Sequence, residues 1–228
     1  MLPEIKRTSL VFDLDGTLVN SIPMVLASFQ HAIEVFQTPP SPLEIFERLS
    51  GPADVCLRDL LDDETNVPEA MGRLIEYNKT HHHQIVPFEG AVEMLEALLK
   101  NGAEVALWTG RDRNTTDEIL SAHSLWKYFQ KVVCGDDFGS HKPDPEGLVH
   151  ILDELSLKSS NVLFVGDSDV DVLAGHACRV PTMLIRHNRK VSEQIRGLCR
   201  EWVETPQQAY GIISAIVGTE SAGTVRLG

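Results

Sequence analysis

The sequence predicts an α/β protein built around a doubly wound parallel sheet, with a smaller helical domain inserted into it. Short aliphatic runs typical of buried strands recur along the chain, and segments with helical apolar spacing separate the later runs. Most of these runs end in a cluster of polar residues. Together these observations indicate alternating strands and helices, with polar groups gathered at the strand ends.

The first strand is predicted over residues 8–13, where an apolar run leads directly to Asp13. Because side chains alternate along an extended chain, Asp13 and Asp15 are expected to project together from the end of this strand. Gly16 then allows the backbone to turn sharply and to pass close to a bound group. Two carboxylates held together in this way suit a metal ion, a nucleophile or an acid–base pair.

The segment that follows contains helical patterns but none that is typical of a strand, so we expect an inserted helical domain over residues 18–88. Residues 1–17 and 89–228 then form the main domain. Because the insertion begins beside Asp13, it is a candidate lid over the strand end. The helices expected in the insertion cover residues 22–36, 52–61 and 69–82.

The rest of the chain alternates strands with helices, which is the pattern of a parallel sheet with crossover connections. The expected strands cover residues 103–108, 131–134, 161–166 and 181–186, and the expected helices cover residues 91–100, 115–123, 146–155 and 170–178. In open sheets of this kind, ligands bind beyond the carboxyl ends of the strands. The polar clusters at those ends are therefore expected to converge on one site.

The composition restricts the possible partners. The 228-residue chain carries a formal net charge of −13, which argues against nucleic acid, because phosphate backbones are bound by clustered Lys and Arg side chains. No apolar stretch approaches the roughly 20 residues that cross a bilayer, so no membrane partner is expected. The four cysteines lack metal-ligand spacing and fit a reducing compartment. We therefore expect a cytoplasmic protein; whether it is a monomer or a homodimer stays open.

Four separated motifs resemble those of the haloacid dehalogenase superfamily, in particular its phosphatase branch with a helical cap. The motifs are Asp13-Leu14-Asp15-Gly16-Thr17, Ala106-Leu107-Trp108-Thr109-Gly110, Lys142-Pro143-Asp144-Pro145 and Gly166-Asp167-Ser168-Asp169-Val170-Asp171. The four motifs occur along the chain in the same order as in members of that family, and the resemblance covers about residues 9–217. It extends to phosphoglycolate phosphatases, pyrophosphatases and β-phosphoglucomutases, and it implies a Rossmann-like core with a cap domain.

The resemblance implies a Mg²⁺-dependent phosphatase that acts through an aspartyl-phosphate. Asp13 is the implied nucleophile, and Asp15 is the implied acid and base for the leaving oxygen and the water. The ion is implied to be held by the Asp13 side chain, the backbone carbonyl of Asp15 and the Asp167 side chain, since Mg²⁺ prefers oxygen ligands.

The remaining core motifs are implied to hold the substrate phosphate. Thr109 and the Gly110 amide are the implied contacts of the phosphoryl oxygens, and Lys142 is the implied fixed positive charge on the opposite side. Asp171 is expected to orient Lys142 or a metal-bound water rather than to bind the ion itself.

Substrate selection is expected in the inserted domain, where Arg48 and Gly51 form a candidate substrate-binding loop. Whether Arg48 and Arg111 contact the substrate stays open, as does the role of His81-His82-His83. Consecutive helical residues point about 100° apart, so these three histidines are not expected to converge on one ion.

Three features of the sequence restrict which reactions of the superfamily are expected. Asp15 argues against dehalogenation, because haloacid dehalogenases lack this second acid. Mutase relatives use a cap histidine and a cap lysine, whereas this chain carries Val25 at the histidine position and no lysine between Lys6 and Lys79. We therefore expect hydrolysis of a small phosphorylated metabolite: phosphoglycolate, a sugar phosphate or pyrophosphate. A phosphomutase and a non-catalytic regulator that binds phosphorylated metabolites are the alternatives.

Overall fold

A computed structural model of the protein describes residues 9–49 and 52–222. The chain forms two compact units, one made of Met1–Val19 with Pro87–Gly228 and the other made of Asn20–Val86. The second unit falls within residues 18–88, the range expected for the inserted domain. No described helix is long and apolar enough to cross a membrane.

The strands and helices alternate through the larger unit, whereas the inserted unit is mainly helical. The strands are β1 (Ser9–Phe12), β2 (Val19–Asn20), β3 (Val86–Pro87), β4 (Glu104–Trp108), β5 (Lys131–Val133), β6 (Val162–Gly166), β7 (Thr182–Ile185) and β8 (Glu201–Val203). The helices are α1 (Ile22–Ile33), α2 (Pro42–Arg48), α3 (Ala53–Leu60), α4 (Val67–His81), α5 (Ala91–Lys100), α6 (Arg113–Ala122), α7 (Glu146–Glu154), α8 (Asp169–Ala177), α9 (Glu193–Leu198) and α10 (Pro206–Ala222).

The larger unit is built on a six-stranded parallel sheet with the order β5-β4-β1-β6-β7-β8. In the centre of the sheet, Phe12 of β1 pairs with Leu107 of β4 and with Val165 of β6. This register brings the carboxyl ends of the three central strands to the same edge. The predicted doubly wound α/β fold is confirmed, and its strand order places the polar clusters side by side.

The sheet is stable because its central strands are buried on both faces, as expected for parallel strands covered by helices. All four residues of β1 are buried, and so are all five of β6. One core cluster joins Trp108 and Phe164 of the sheet to Leu148 and Ile151 of α7. Continuous apolar runs therefore predicted these strands without any alternating pattern.

The inserted unit contains one helix that the sequence patterns did not indicate, and a short strand pair that they also missed lies where the chain enters and leaves this unit. The helix that was not expected is α2, which Ser41 caps in a reciprocal capping box with Glu44, while Pro42 occupies its first turn. The short strands β2 and β3 pair with each other, and two residues are too few to give a recognisable period. The four helices share one apolar cluster that includes Phe29, Ile45 and Leu57.

The C-terminal part of the larger unit also contains a strand and a helix that the sequence did not predict. The strand β8 is an edge strand with only Val203 buried, so its sequence carries no clear apolar run. Helix α10 packs its Tyr210 into the unit, where the phenol donates to the Thr17 carbonyl at 2.5 Å. This bond connects the C-terminal helix to the loop that follows β1.

Candidate active site

The candidate site lies at the carboxyl ends of the central strands. Asp13 follows β1, Thr109 follows β4 and Asp167 follows β6. The Asp13 amide donates to the Val165 carbonyl at 2.8 Å, and the Thr109 amide donates to the Val133 carbonyl at 3.0 Å. These bonds continue the hydrogen-bonding of the sheet past the strand ends, so the sheet itself fixes the backbone of both residues.

Lys142 is a buried cation whose three N–H groups all have acceptors. Its Nζ donates to Asp13 Oδ1 at 2.8 Å, to Asp171 Oδ1 at 2.8 Å and to the Trp108 carbonyl at 2.7 Å. Only 7% of its side chain is exposed. Because burying a charge is costly unless it is paired, this arrangement holds the ammonium firmly beside Asp13.

Asp171 orients Lys142 and is itself fixed by the start of α8. Its second oxygen, Oδ2, accepts from the Ser168 amide at 3.0 Å and from the Ser168 hydroxyl in a capping box. Both carboxylate oxygens are therefore engaged by the chain. This geometry suits a positioning role better than a role as a metal ligand.

Three carboxylates crowd together in this site. Ligand oxygens of Asp13, Asp167 and Asp171 lie within 4.8 Å of one another, and this is the acidic cluster that the described residues offer a metal ion. Burial raises the pKa of Asp13 to about 7, although Lys142 acts in the opposite direction. Burial and the neighbouring Asp13 raise the pKa of Asp167 well above its usual range. The site thus favours an additional positive charge.

The backbone at Gly16 makes room for the Asp167 carboxylate. Gly16 adopts φ +73°, and a Cβ at this position would lie 2.1 Å from Asp167 Oδ2. Only glycine combines this conformation with this close approach. The loop after β1 and the carboxylate after β6 therefore meet closely, and their hard oxygen donors fit Mg²⁺ or a similar divalent cation.

Asp15 forms an ion pair with Arg111, which the sequence left open. The guanidinium donates from Nε to Asp15 Oδ2 at 2.9 Å and from Nη2 to Asp15 Oδ1 at 2.5 Å. Each nitrogen thus meets a different carboxylate oxygen, which is the fork geometry that arginine forms with planar anions. Arg111 is a site residue, not a surface cation.

The loop after β4 holds Thr109, Gly110 and Arg111 in a fixed turn. The buried Thr109 hydroxyl accepts from the Arg111 amide at 3.1 Å. Gly135 donates from its amide to the Arg111 carbonyl at 2.8 Å, and a Cβ on Gly135 would lie 2.2 Å from the Gly110 carbonyl oxygen. The loop is therefore fixed against a neighbouring glycine that admits no side chain.

Two residues near the site were missed by sequence reasoning. His187 Nε2 donates to the Gly16 carbonyl at 2.6 Å. Arg189 donates to the Asp167 carbonyl at 3.0 Å and to Asp169 Oδ1 at 2.8 Å. Both residues follow β7, so the same rule that polar groups at strand ends converge would have identified them.

The residues predicted for substrate selection belong to the segment of the inserted unit around α2. Arg48 ends α2 in the inserted unit, where its Nη1 donates to the Asp59 carbonyl at 2.9 Å. Gly51 lies outside the described residues. The His81 ring stacks on Tyr77 with a centroid distance of 3.8 Å, and no group of metal ligands among the described residues includes a histidine.

Comparison with known proteins identifies the family. Residues 10–185 match the family described as haloacid dehalogenase-like hydrolase. This chain belongs to the haloacid dehalogenase-like hydrolase family. The resemblance carried by the four sequence motifs is thus confirmed.

Individual haloacid dehalogenase-like proteins resemble the chain over most of its length. It is 31% identical to phosphoglycolate phosphatase 1 of Pseudomonas aeruginosa over 81% of this chain and 72% of the relative. It is 29% identical to pyrophosphatase PpaX of Halalkalibacterium halodurans over 86% of this chain and 91% of the relative. A structure of a haloacid dehalogenase-like family hydrolase from Streptococcus pneumoniae superposes with a TM-score of 0.78 at 17% identity, covering 92% of this chain and 99% of the other.

Proposed function

We propose that this hydrolase is a Mg²⁺-dependent phosphatase that cleaves a small phosphorylated metabolite through an aspartyl-phosphate on Asp13. The observation that carries the proposal is the pairing of Asp13 with the buried Lys142 beside Asp167 and Asp15. The names of the two curated relatives, a phosphoglycolate phosphatase and a pyrophosphatase, support the same reaction class.

In the first step, a carboxylate oxygen of Asp13 attacks phosphorus and the bond to the leaving oxygen breaks. Carboxylates act as nucleophiles of this kind in other phosphoryl-transfer enzymes. Lys142 holds Asp13 Oδ1 in place and reduces the repulsion between the carboxylate and the phosphate. Thr109 and the Gly110 amide are proposed to bind the phosphoryl oxygens from the loop after β4.

Asp15 is the proposed acid and base. It gives a proton to the leaving oxygen in the first step and takes one from the attacking water in the second step. In the second step the water oxygen bonds to phosphorus, the bond between phosphorus and the Asp13 oxygen breaks, and inorganic phosphate is released. Each proton that Asp15 donates is therefore recovered within one turnover.

The residues suited to hold Mg²⁺ are the Asp13 and Asp167 side chains and the backbone carbonyl of Asp15. Burial raises the pKa of both carboxyl groups, and Gly16 leaves room for Asp167, which fits a bound cation here. Such an ion neutralises charge on the phosphoryl oxygens and on the attacking carboxylate. Asp171 is proposed to orient Lys142.

The candidate substrates are phosphoglycolate, pyrophosphate and a sugar phosphate. Selection among them by Arg48 and Gly51 of the inserted unit stays a prediction of the sequence. So do a cytoplasmic location and a monomeric or homodimeric state.

The proposal is tested by measuring phosphate release from these three substrates and from an aryl phosphate, with Mg²⁺ and with excess EDTA. We expect Mg²⁺-dependent hydrolysis, with a kcat/KM for the preferred metabolite well above that for the aryl phosphate. Phosphoryl transfer to a second sugar instead of water would identify a mutase. Binding without any turnover would identify a regulator, and either result would overturn the proposal.

A further inference from the structure

We infer that Arg111 is a specificity residue that binds a second anionic group on the substrate, next to the leaving oxygen. The inference rests on the proposed phosphatase function and narrows its substrate class. That class consists of phosphate esters or anhydrides whose leaving group carries a carboxylate or phosphate close to the scissile bond. It favours phosphoglycolate and pyrophosphate over a neutral sugar phosphate.

The first observation is the anion that Arg111 already binds. Its Nε and Nη2 grip the two oxygens of Asp15, and only 12% of the Arg111 side chain is exposed. A substrate carboxylate, or two oxygens of a phosphate, offers the same planar pair of acceptors. The Asp15 carboxylate thus shows the kind of anion that this guanidinium binds.

The second observation is that the backbone of Arg111 is fixed while its partner is accessible. The Thr109 hydroxyl and the Gly135 amide hold the amide and the carbonyl of Arg111 at 3.1 and 2.8 Å. The Asp15 side chain is 31% exposed, so the paired end of the guanidinium lies at the open part of the site. On this inference, the Arg111 side chain rotates on its fixed backbone when it binds a ligand in place of Asp15.

The third observation is that the two neighbouring cations, Lys142 and Arg189, already bind acceptors of the protein. Lys142 uses all three N–H groups on Asp13, Asp171 and the Trp108 carbonyl and is almost fully buried. Arg189 binds Asp169 and the Asp167 carbonyl. Because the site is crowded with carboxylates, a second negative charge on the substrate needs a cation of its own, and Arg111 faces the proposed leaving-group acid.

This arrangement couples recognition to turnover. While Arg111 holds both oxygens of Asp15, that carboxyl group is turned toward the guanidinium. A second anion that binds Arg111 removes the contact between Arg111 and Asp15, the proposed acid for the leaving oxygen. Binding energy from a part of the substrate that does not react then raises kcat as well as lowering KM.

Phosphoglycolate and ethyl phosphate form a matched pair for the test, because they differ in a carboxylate that replaces a methyl group. We expect the wild-type protein to prefer phosphoglycolate. In Arg111→Met, kcat/KM for phosphoglycolate should fall roughly 10- to 100-fold, as expected for a hydrogen-bonded charge, with a lower kcat. The rate for ethyl phosphate should change much less than the rate for phosphoglycolate, since that substrate lacks the group that Arg111 binds.

Arg113→Met is the matched control, because Arg113 lies two residues further on and pairs with Asp137 rather than with Asp15. It should leave the preference between the two substrates unchanged. Arg111→Lys should recover only part of the preference, because an ammonium cannot form the fork.

A binding measurement separates recognition from chemistry. In the background of Asp13→Asn, calorimetric titration with phosphoglycolate should give an affinity that Arg111→Met weakens roughly 10-fold, with little change for ethyl phosphate. Equal losses for both substrates would overturn the inference and leave the phosphatase function standing. Absence of hydrolysis with every substrate in the wild-type protein would overturn the proposed function and the inference together.

Discussion

Lys142 Nζ lies 2.8 Å from Asp13 Oδ1, and both side chains are more than nine-tenths buried. The two residues are far apart in the sequence, and they meet because the loop after β5 returns across the carboxyl ends of β4 and β1. The ammonium also binds Asp171 and the Trp108 carbonyl, so one cation joins all four sequence motifs. The positioning of the candidate nucleophile therefore depends on an ion pair formed only in the folded chain.

Replacing the candidate nucleophile tests the chemical step. We expect Asp13→Asn to reduce kcat by at least about 10³-fold, because an amide cannot form the aspartyl-phosphate. The amide oxygen still accepts from Lys142, so the far-ultraviolet circular dichroism and a cooperative melting transition should be retained. Substantial residual hydrolysis in a well-purified variant would refute the mechanism.

Removing the buried cation should affect both stability and activity. Lys142→Met leaves Asp13 and Asp171 without their shared partner, which costs on the order of 3 kcal/mol in the free energy of unfolding. Turnover should fall at least about 10²-fold because the positive charge is lost. Lys142→Arg should not restore activity, since a planar guanidinium does not match three acceptors arranged around a compact ammonium. Denaturant unfolding and kcat measurements check both effects, and wild-type activity in either variant would contradict them.

Metal removal is expected to abolish activity and to lower thermal stability. The site crowds carboxylates whose pKa values burial raises, so a bound divalent cation stabilises the folded state by mass action. Adding Mg²⁺ to EDTA-treated protein should raise Tm and restore turnover, while Asp167→Asn should show a much smaller Tm shift. Unchanged activity and Tm after chelation would exclude the proposed metal dependence.

Two glycine substitutions in helices are expected to change the free energy of unfolding in opposite directions. A Cβ on Gly147 of α7 would lie 2.3 Å from Trp108 Nε1, so Gly147→Ala should destabilise the protein by about 1–3 kcal/mol. Gly72 of α4 has no atom within 4 Å of the added Cβ, so Gly72→Ala should stabilise by about 0.5–1 kcal/mol. Urea unfolding of both variants measures the difference, and a change of the same sign in both would contradict this packing.

His187 makes stability depend on pH in a defined window. Burial lowers the pKa of its imidazole below the usual 6.5, and the neutral ring donates to the Gly16 carbonyl. The unfolded chain then binds the proton more readily than the folded chain, so this contribution is present above about pH 6.5 and is lost as the pH falls. The slope is at most about 1.4 kcal/mol per pH unit.

The comparison of wild type with His187→Gln isolates this contribution. Unfolding free energies measured between pH 5 and 8 should fall less steeply on acidification in the variant. Glutamine retains a donor for the Gly16 carbonyl but does not titrate. Equal slopes in the two proteins would show that His187 is not the group responsible.

The sequence predicted the strands that are buried on both faces, because such strands are continuous apolar runs. It did not predict β8, which has one buried residue, or β2 and β3, which have two residues each. It also did not predict α2, although Ser41 and Pro42 begin a helix there. Local patterns therefore predict a strand of this sheet well only where its burial is continuous along the chain.

The residues of the candidate site also fall into those that the sequence predicted and those that only the structure revealed. Asp13, Asp15, Thr109, Lys142 and Asp167 were predicted from motifs that each follow a strand end, since parallel strands bring such ends to one edge of the sheet. His187 and Arg189 also follow a strand, but they carry no motif of their own. Their contacts with Gly16 and with Asp167 became visible only when β7 was placed beside β6.

The sequence by itself determined the family, the parallel sheet and the carboxylates at its edge, because these depend on local runs and on the order of motifs. Only the tertiary structure decided which charges pair. Lys142 is committed to Asp13 and Asp171, whereas Arg111 grips Asp15. The physical reason is that the strength of an ion pair depends on the distance between the charges, their burial and the direction of the side chains. Arg111 and Asp15 are 96 positions apart, and Lys142 and Asp13 are 129 positions apart. The order of residues along the chain therefore does not show which of these charges lie in contact.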